Sequence, residues 1–311
     1  MHKHIYRKRF LHTLLIILFC LFFPAVATLL IQGGSTAQKD NFSPVKSGKS
    51  VIITDEKKQT TLDVEEFIPC AMMEQLSIND DEELLKTFSI ILRTYIYEKL
   101  GNTDSVDVSA LGIPYMTYDE METAWKDKFA DNLNKLNKIM EETALLVLSY
   151  NGQLIHPYYH TLSSGNTREG TEAYLVSVSC PDDLTNKNYL NTAVYSYEAF
   201  ISTVKSISGD IVLSETAPLE SFQIVSKDSA GYVTEMQISG VSVDLNAFME
   251  KFQLKSSCFE IDEYNGGIRI ITKGEGHGYG LSLNTASIMA KKGHNYTEIL
   301  NYFYPGTTIS Q

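Results

Sequence analysis

The sequence predicts an α+β fold for the part of the chain beyond residue 60. Amphipathic helical patterns come first, a strand-rich stretch follows, and two short helices end the chain. Helices and strands that are segregated in this way, rather than alternating regularly, are typical of α+β architecture. The chain has 311 residues, of which 43% are hydrophobic, so it can bury a substantial core.

An almost uninterrupted apolar run extends from residue 10 to residue 31, and four basic residues precede it: Lys3, Arg7, Lys8 and Arg9. The run is long enough to cross a bilayer as a helix. Under the positive-inside rule, residues 1–9 form a cytoplasmic tail, residues 10–32 form a single-pass transmembrane signal-anchor, and the remainder is extracytoplasmic. Cleavage as a signal peptide after Ala25-Val26-Ala27 is the alternative, but the apolar run continues past that point.

Residues 33–60 are polar and predict a juxtamembrane linker, so we expect the folded domain to span residues 61–311. The net charge of the chain is -12, although its N-terminal tail is basic. The acidic remainder offers no broad basic face, which argues against nucleic acid as a partner. A neutral or mixed-charge polymer such as a glycan is compatible with this charge.

Two long helices are predicted before the strands. The first spans about residues 79–100, where Asn79 can cap the helix and acidic residues in the first turn complement its dipole. The second begins at Thr117, where Glu120 completes a capping box, and its apolar stripe continues to about residue 144. Both stripes predict faces that pack against the core.

The middle of the chain, from about residue 145 to residue 271, is strand-rich. Asn151-Gly152 predicts a hairpin within residues 146–154. Four further runs have strand-like composition: residues 173–179, 211–213, 232–238 and 267–272. Short helices are then predicted at residues 285–292 and 296–303.

Four glycines alternate with other residues around His277: Gly274, Gly276, Gly278 and Gly280. A packed strand gains nothing from glycine at every second position, because each glycine forfeits side-chain packing and loses more backbone entropy on folding. The run therefore predicts a backbone that approaches a ligand closely, with one imidazole at its centre.

Other segments concentrate polar and aromatic residues: residues 67–77, Arg93-Thr94-Tyr95, residues 157–168, residues 174–181, and residues 299–306. In this order, behind one anchor, they resemble the stage II sporulation protein D family (SpoIID, or amidase-enhancer domain). The resemblance covers about residues 62–309. His277-Gly278-Tyr279-Gly280-Leu281-Ser282 and Tyr304-Pro305-Gly306 are specific in combination.

The resemblance implies a lytic transglycosylase that cleaves peptidoglycan glycan strands whose stem peptides have been removed. It also implies two partners, an amidase of the SpoIIP type and a membrane scaffold. The chemistry needs one carboxyl group that first protonates the glycosidic oxygen and then accepts a proton from the sugar's 6-hydroxyl. No metal ion or cofactor is expected.

The family's catalytic glutamate belongs to an E-M-P motif before the first long helix. Counting back without gaps from Arg93 places that glutamate on Gln75, beside Glu74. A glutamine cannot act as a general acid, so catalysis would require Glu74 to take over through a local shift. The sequence also departs from the family at residues 283–285, which replace a Q-Y-G.

By the same resemblance, the catalytic candidates are Glu74, Gln75, His160 and His277. The substrate-binding candidates lie in the two flanking motifs: Ser163, Ser164, Arg168, Gly276, Gly278, Tyr279, Gly280 and Ser282.

Several of these residues also have structural interpretations. Ser163 and Ser164 could cap a turn, and His160 could bond to that turn. Arg93 could pair with a buried carboxylate instead of meeting substrate. Cys70, Cys180 and Cys258 could be three buried thiols, although an extracytoplasmic location permits a disulfide. Cys180 and Cys258 lie in the segments that match the family better, and they are the pair to test first.

The leading functional hypothesis is thus a membrane-anchored, sporulation-related lytic transglycosylase. The alternative is a catalytically degenerate paralogue that binds peptidoglycan glycan or activates a partner amidase. A serine–histidine hydrolase is disfavoured, since the sequence has no G-x-S-x-G elbow. A purely structural anchor would leave the glycines around His277 unexplained.

Overall fold

The computed structural model of the protein describes residues 44–55 and 58–311. Within those ranges, no helix combines the length and the apolar character that crossing a membrane requires. The predicted cytoplasmic tail and signal-anchor, residues 1–9 and 10–32, lie outside the described residues, as does the first part of the predicted linker.

A three-stranded sheet opens the described chain. Strand β1 (Ser50–Asp55) pairs antiparallel with β2 (Lys58–Asp63) and parallel with β3 (Ser105–Asp107). The first two strands overlap the predicted linker, so the fold begins at β1 rather than near Thr61. The reason is Val51, which is fully buried in the core.

Two packed helices follow, α1 (Val64–Gln75) and α2 (Glu82–Leu100). The prediction of a helix at residues 79–100 is confirmed for α2, although its N-cap is Asp81 rather than Asn79. Helix α1 was not predicted because Pro69 lies inside it, and proline normally ends a helix.

The predicted helix at residues 117–144 is divided into two. After the short α3 (Val108–Leu111), α4 (Tyr118–Trp125) and α5 (Phe129–Glu142) are separated by a 3₁₀ turn. The capping box of Thr117 and Glu120 is confirmed. The break falls at Lys126, whose φ of 52° no helix accommodates.

The hairpin prediction is confirmed. Strands β4 (Val147–Tyr150) and β5 (Gln153–Leu154) flank Asn151 and Gly152, which both have positive φ. The next strand, β6 (Tyr159–His160), is short but central to the site described below.

Residues 190–273 form a second unit with its own hydrophobic core, here called the insert lobe. Its elements are β7 (Leu190–Ser196), α6 (Tyr197–Ile207), β8 (Phe222–Lys227), β9 (Val233–Ile238), β10 (Val241–Ser242), α7 (Leu245–Lys251), β11 (Phe259–Tyr264) and β12 (Gly267–Lys273). The strands form two sheets, in the orders β10-β9-β8 and β11-β12-β7. Leu190 pairs with Lys273, so the lobe begins and ends at one point.

The chain then returns to the first core. Strand β13 (Leu281–Ser282) pairs parallel with β6, and β14 (Thr308–Ser310) pairs antiparallel with β4. Between them lie α8 (Leu283–Lys291) and α9 (Tyr296–Phe303), close to the two predicted C-terminal helices. Thus the first core, unlike the insert lobe, is assembled from two distant parts of the sequence.

The mixed architecture agrees with the predicted α+β class, but two strand predictions were wrong. Residues 232–238 and 267–272 correspond to β9 and β12. Residues 173–179 and 211–213 are irregular apart from an isolated bridge at Ser179. Ile211 and Leu213 bury their side chains in the insert lobe without a strand partner, which explains the misleading apolar pattern.

Arg93 is fully buried and pairs with Glu65. Its Nε and Nη2 atoms donate to the two carboxylate oxygens at 2.6 and 2.7 Å, and Nη1 donates to the Leu146 carbonyl at 3.1 Å. This confirms the structural interpretation of Arg93 rather than a substrate contact. The pair joins α1 to α2.

The disulfide proposed for Cys180 and Cys258 is not formed. Cys70, Cys180 and Cys258 are all free and buried. Burial raises the pKa of Cys70 to about 12 and that of Cys180 to about 11. These cysteines therefore act as small core residues, the alternative interpretation of the sequence.

Candidate functional site

An open cavity of about 370 Å³ lies where the end of α1, the start of α2, the chain after β6 and the start of α8 come together. Six of its eleven described lining residues are polar and uncharged, and four of these six have amide side chains. The lining residues are Gln75, Leu76, Asp80, Leu84, Thr161, Leu162, Asn186, Asn188, Leu283, Asn284 and Ser287.

Gln75, the last residue of α1, lies in this cavity. Its amide makes a long contact of 3.5 Å to the Ala71 carbonyl and also reaches the Tyr159 hydroxyl. Because Tyr159 lies on β6, the hydroxyl links Gln75 to that strand. An amide in this position can donate and accept hydrogen bonds but cannot transfer a proton as an acid.

Glu74 and Asp80 both lie near Gln75 in sequence, and only Asp80 lines the cavity. Glu74 is exposed and is not among the described lining residues. Asp80 does line the cavity, and its Oδ2 accepts from the Ser77 backbone N–H at 2.8 Å. Asp80 is therefore the carboxylate available to a ligand in the cavity.

A buried carboxylate that was not predicted lies behind the cavity wall. Asp183 is 0% exposed and accepts five hydrogen bonds. Its Oδ2 accepts from the Ser163 N–H at 2.8 Å, the Ser163 hydroxyl at 2.7 Å and the Ser282 hydroxyl at 2.7 Å. Its Oδ1 accepts from the Asn284 amide and the Thr285 hydroxyl, both at 2.8 Å.

The serines predicted to bind substrate thus have intramolecular partners. Ser163 and Ser282 are fully buried on Asp183. Ser164 donates its hydroxyl to the Ala230 carbonyl at 2.7 Å, and its N–H donates to the Tyr232 hydroxyl at 3.1 Å. These hydrogen bonds hold the turn after β6 in place, which agrees with the structural interpretation of Ser163 and Ser164.

The glycine run packs against the protein itself. All four glycines have positive φ, between 66° and 109°. A Cβ on Gly278 would lie 2.5 Å from the Tyr232 ring, and one on Gly276 would lie 2.7 Å from the His160 Cβ. A Cβ on Gly280 would overlap the Tyr158 carbonyl. The close approach that the glycines permit is therefore to residues 158–164 and to the insert lobe.

His160 and His277 lie together, with ring centroids 5.9 Å apart. The His160 Nδ1–H donates to the Tyr279 carbonyl at 3.0 Å, while its Nε2 is buried with no partner among the described residues. The His277 Nδ1 accepts from the Tyr279 N–H at 3.0 Å. The rings of Tyr158 and Tyr279 complete this histidine cluster.

Both imidazoles are held neutral. Burial lowers the pKa of His160 to about 4, and the nearby His277 adds to the effect. The pKa of His277 is also lowered, by partial desolvation and by the positive charge of Arg168, although its ring remains partly open to solvent. Neither histidine is among the described residues that line the cavity.

Arg168 connects the histidine cluster to the insert lobe. Its guanidinium lies 4.5 Å from the Tyr279 ring centroid and 4.9 Å from that of Tyr232. Its Nε donates to Asp228 at 2.5 Å and its Nη1 to the His277 carbonyl at 3.3 Å. Arg168, predicted to bind substrate, thus has partners within the protein.

Residues of β6 divide the predicted site residues into two groups. Adjacent strand residues point to opposite faces, so Tyr159 faces α1 and Gln75 while His160 faces Tyr279 and His277. No group of three or more His, Cys, Asp or Glu side chains among the described residues is arranged to hold a metal ion.

Comparison with known proteins identifies the relatives of this chain. No family model matches it. It is 27% identical to stage II sporulation protein D of Bacillus amyloliquefaciens over 263 residues, covering 80% of this chain and 74% of that protein. The protein of the same name from Bacillus subtilis (strain 168) is 25% identical over 264 residues, with the same shares covered. These similarities support a divergent relative of the stage II sporulation protein D family.

A further relative is the amidase enhancer of Bacillus subtilis (strain 168), 26% identical over 282 residues that cover 73% of this chain and 38% of that protein. The predicted resemblance is thereby confirmed. Segments that carried the resemblance contribute residues to both faces of β6: Gln75 beside Tyr159, and His277 and Tyr279 beside His160.

Sequence reasoning missed Asp183, Asn186 and Asn188 and noted Asn284 only as a departure from the family motif. A buried carboxylate bonded to side chains distant in sequence leaves no periodic pattern, so only the fold reveals it. One signal was present: Asn284 and Thr285 replace the expected residues together, and both donate to Asp183.

Proposed function

We propose that this protein acts at the cell wall in sporulation by binding peptidoglycan glycan strands whose stem peptides have been removed. The amide-lined cavity beside Gln75 carries the proposal. It occupies the position where the family resemblance expects the catalytic acid, yet Gln75 has no acidic proton to give.

The chemistry of the cavity suits an uncharged carbohydrate. Sugar hydroxyl and acetamido groups both donate and accept hydrogen bonds, as do amide and hydroxyl side chains. Asp80 can accept from a sugar hydroxyl at one side. The apolar Leu76 and Leu283 offer contact to the less polar faces of the rings.

The second candidate is lytic transglycosylation, and one observation favours it. Asp80 lines the same cavity as Gln75 and could serve as the acid and base, while Glu74 would need to turn inward. In either case, residues 10–32 would anchor the protein in the cell membrane with its folded domain outside. An amidase of the SpoIIP type and a membrane scaffold are the proposed partners, in keeping with the amidase enhancer relative.

One experiment separates the two candidates. The purified full-length chain is incubated with denuded glycan strands and assayed for co-sedimentation and for 1,6-anhydro-muramyl products. If the unaltered chain binds the strands without forming products, and only Gln75→Glu forms products, a binding role is supported. Products from the unaltered chain that disappear in Asp80→Asn or Glu74→Ala would establish the enzyme.

The control is Lys291→Gln, an exposed change at the other end of α8. It should match the unaltered chain in both assays. If the unaltered chain neither sediments with the strands nor yields products, both candidates are wrong.

A further inference from the structure

Asp183 is connected to the cavity by a line of hydrogen bonds between side chains. The Asn284 amide N–H donates to Asp183 Oδ1 at 2.8 Å. The Asn284 carbonyl oxygen accepts from the Asn186 amide at 2.7 Å, and the Asn186 oxygen accepts from the Asn188 backbone N–H at 2.9 Å. The three asparagines line the cavity, whereas Asp183 lies behind them.

The direction of this line is fixed at both ends. An ionised carboxylate only accepts hydrogen bonds, so Asn284 must turn its NH₂ group toward Asp183. A backbone N–H only donates, so Asn186 must turn its oxygen toward Asn188. Neither amide can flip without breaking the contact at its end of the line.

This fixed direction decides what the cavity offers a ligand. Each amide oxygen already accepts one hydrogen bond from a neighbouring asparagine, and each amide nitrogen keeps one N–H that bonds to no described residue. We propose that Asp183 is a positioning residue that makes Asn284 and Asn186 present N–H donors, so that the cavity selects the acetamido carbonyl oxygen of an N-acetylated sugar. This inference rests on the proposed glycan binding and names the group recognised.

The contacts of Asp183 explain why this arrangement of side chains is stable. All five donors are neutral, and they come from four residues in two distant parts of the sequence. Hydrogen bonds to a charged acceptor are stronger than those between neutral groups. The carboxylate therefore holds Asn284 more firmly than a neutral partner could.

The sharpest variant is Asp183→Asn. Its oxygen can replace Oδ2 and keep the bonds from Ser163 and Ser282, while its NH₂ group replaces Oδ1. Asn284 must then flip to accept from that NH₂ group, and its own NH₂ group would meet the NH₂ group of Asn186. The variant keeps the size of the side chain but turns the Asn284 amide around.

The test measures affinity of the full-length chain for two uncharged β-1,4 hexasaccharides by calorimetry. Chitohexaose carries an acetamido group on every ring, and cellohexaose has a hydroxyl in its place. The unaltered chain should prefer chitohexaose, and Asp183→Asn should lower that affinity about tenfold, the equivalent of about one hydrogen bond, with cellohexaose affinity unchanged. Thr285→Val removes one bond to Asp183 without turning Asn284, so it should keep the preference.

Asn284→Ala guards against misfolding of the first variant, because Asp183 keeps its other four donors. It should reduce the preference for chitohexaose to a similar degree. A preference that is undiminished in folded Asn284→Ala, or in folded Asp183→Asn, overturns the inference.

A chain that binds denuded strands but does not distinguish the two hexasaccharides overturns the inference and leaves the proposed function standing. A chain that binds no strands overturns the proposed function itself.

Discussion

The two sides of β6 use polar residues for opposite purposes. On one side, Tyr159 contacts Gln75 at an open cavity whose amides keep unused N–H groups. On the other side, His160 packs with His277 and Tyr279, and the polar atoms bond mostly to one another. The side with the more distinctive sequence motif is the one already occupied by its own backbone and rings.

The difference teaches that glycines spaced around a histidine report a close approach without saying what approaches. Here the partners are residues 158–164 and the insert lobe. The inconspicuous asparagines, in contrast, face open space. Four experiments can break or sharpen this contrast, and they follow from the largest expected effect to the smallest.

The buried pair of Glu65 and Arg93 should be the most sensitive element. Glu65→Gln leaves the Arg93 guanidinium buried without its carboxylate, which costs about 3 to 5 kcal/mol. Urea unfolding measures the loss. Glu82→Gln removes an exposed partner of Lys138 and should cost less than about 1 kcal/mol. Equal effects of the two changes would show that the pair is not a support for α1 and α2.

The histidine side can be tested at Gly280. Gly280→Ala forces a Cβ into the Tyr158 carbonyl at a φ of 66°, so we expect a loss of about 2 to 5 kcal/mol from strain and overpacking. Gly293→Ala also has positive φ but meets no atom within 4 Å, so it should cost about 1 to 2 kcal/mol. Thermal unfolding compares them. Similar losses of stability in the two variants would mean that the glycine run around His277 is not closely packed.

The pH dependence of stability tests His160. Its pKa falls from 6.5 in the unfolded chain to about 4 in the folded one, so the unfolded chain binds the proton first. The free energy of unfolding should therefore fall between pH 6.5 and pH 4, by at most about 3 kcal/mol.

In His160→Asn, whose amide can still donate to the Tyr279 carbonyl, the part of the pH dependence that comes from His160 should vanish. An unchanged pH profile in the variant would show that another group is responsible.

The smallest expected effect is on ligand binding, and it tests which side of β6 binds the glycan. Asn284→Ala should weaken binding to denuded strands about tenfold, because one hydrogen bond of about 1 kcal/mol is lost. His277→Ala is its counterpart across β6. Weaker binding in His277→Ala with no change in Asn284→Ala would place the glycan on the histidine side and contradict the assignment of the cavity.

Local signals in the sequence predicted local structure well. The Thr117 capping box, the Asn151-Gly152 hairpin and the Tyr296–Phe303 helix each depend on residues a few positions apart, and each is confirmed. Helix α1 was missed because Pro69 is a strong local signal that tertiary packing overrides.

The site was harder to predict because its parts are joined across the chain. The gapless count that placed the family's glutamate on Gln75 found a residue that lines the cavity. It could not show that Ser163 and Ser282 share the carboxylate of Asp183, since no spacing in the sequence relates those three residues. The glycine pattern predicted a backbone that approaches a ligand closely, whereas the close contacts in the structure are with the protein's own residues, which depend on tertiary structure.

The pairing of Leu190 with Lys273 has a further consequence. A segment whose two ends meet can be shortened or replaced by a brief turn while the surrounding core stays continuous, as with domains that tolerate insertion. Evolution could therefore resize the insert lobe independently. Removing the lobe would, however, remove the contacts of Asp228 and Tyr232 with Arg168. The histidine cluster would then lose the support that these contacts give it.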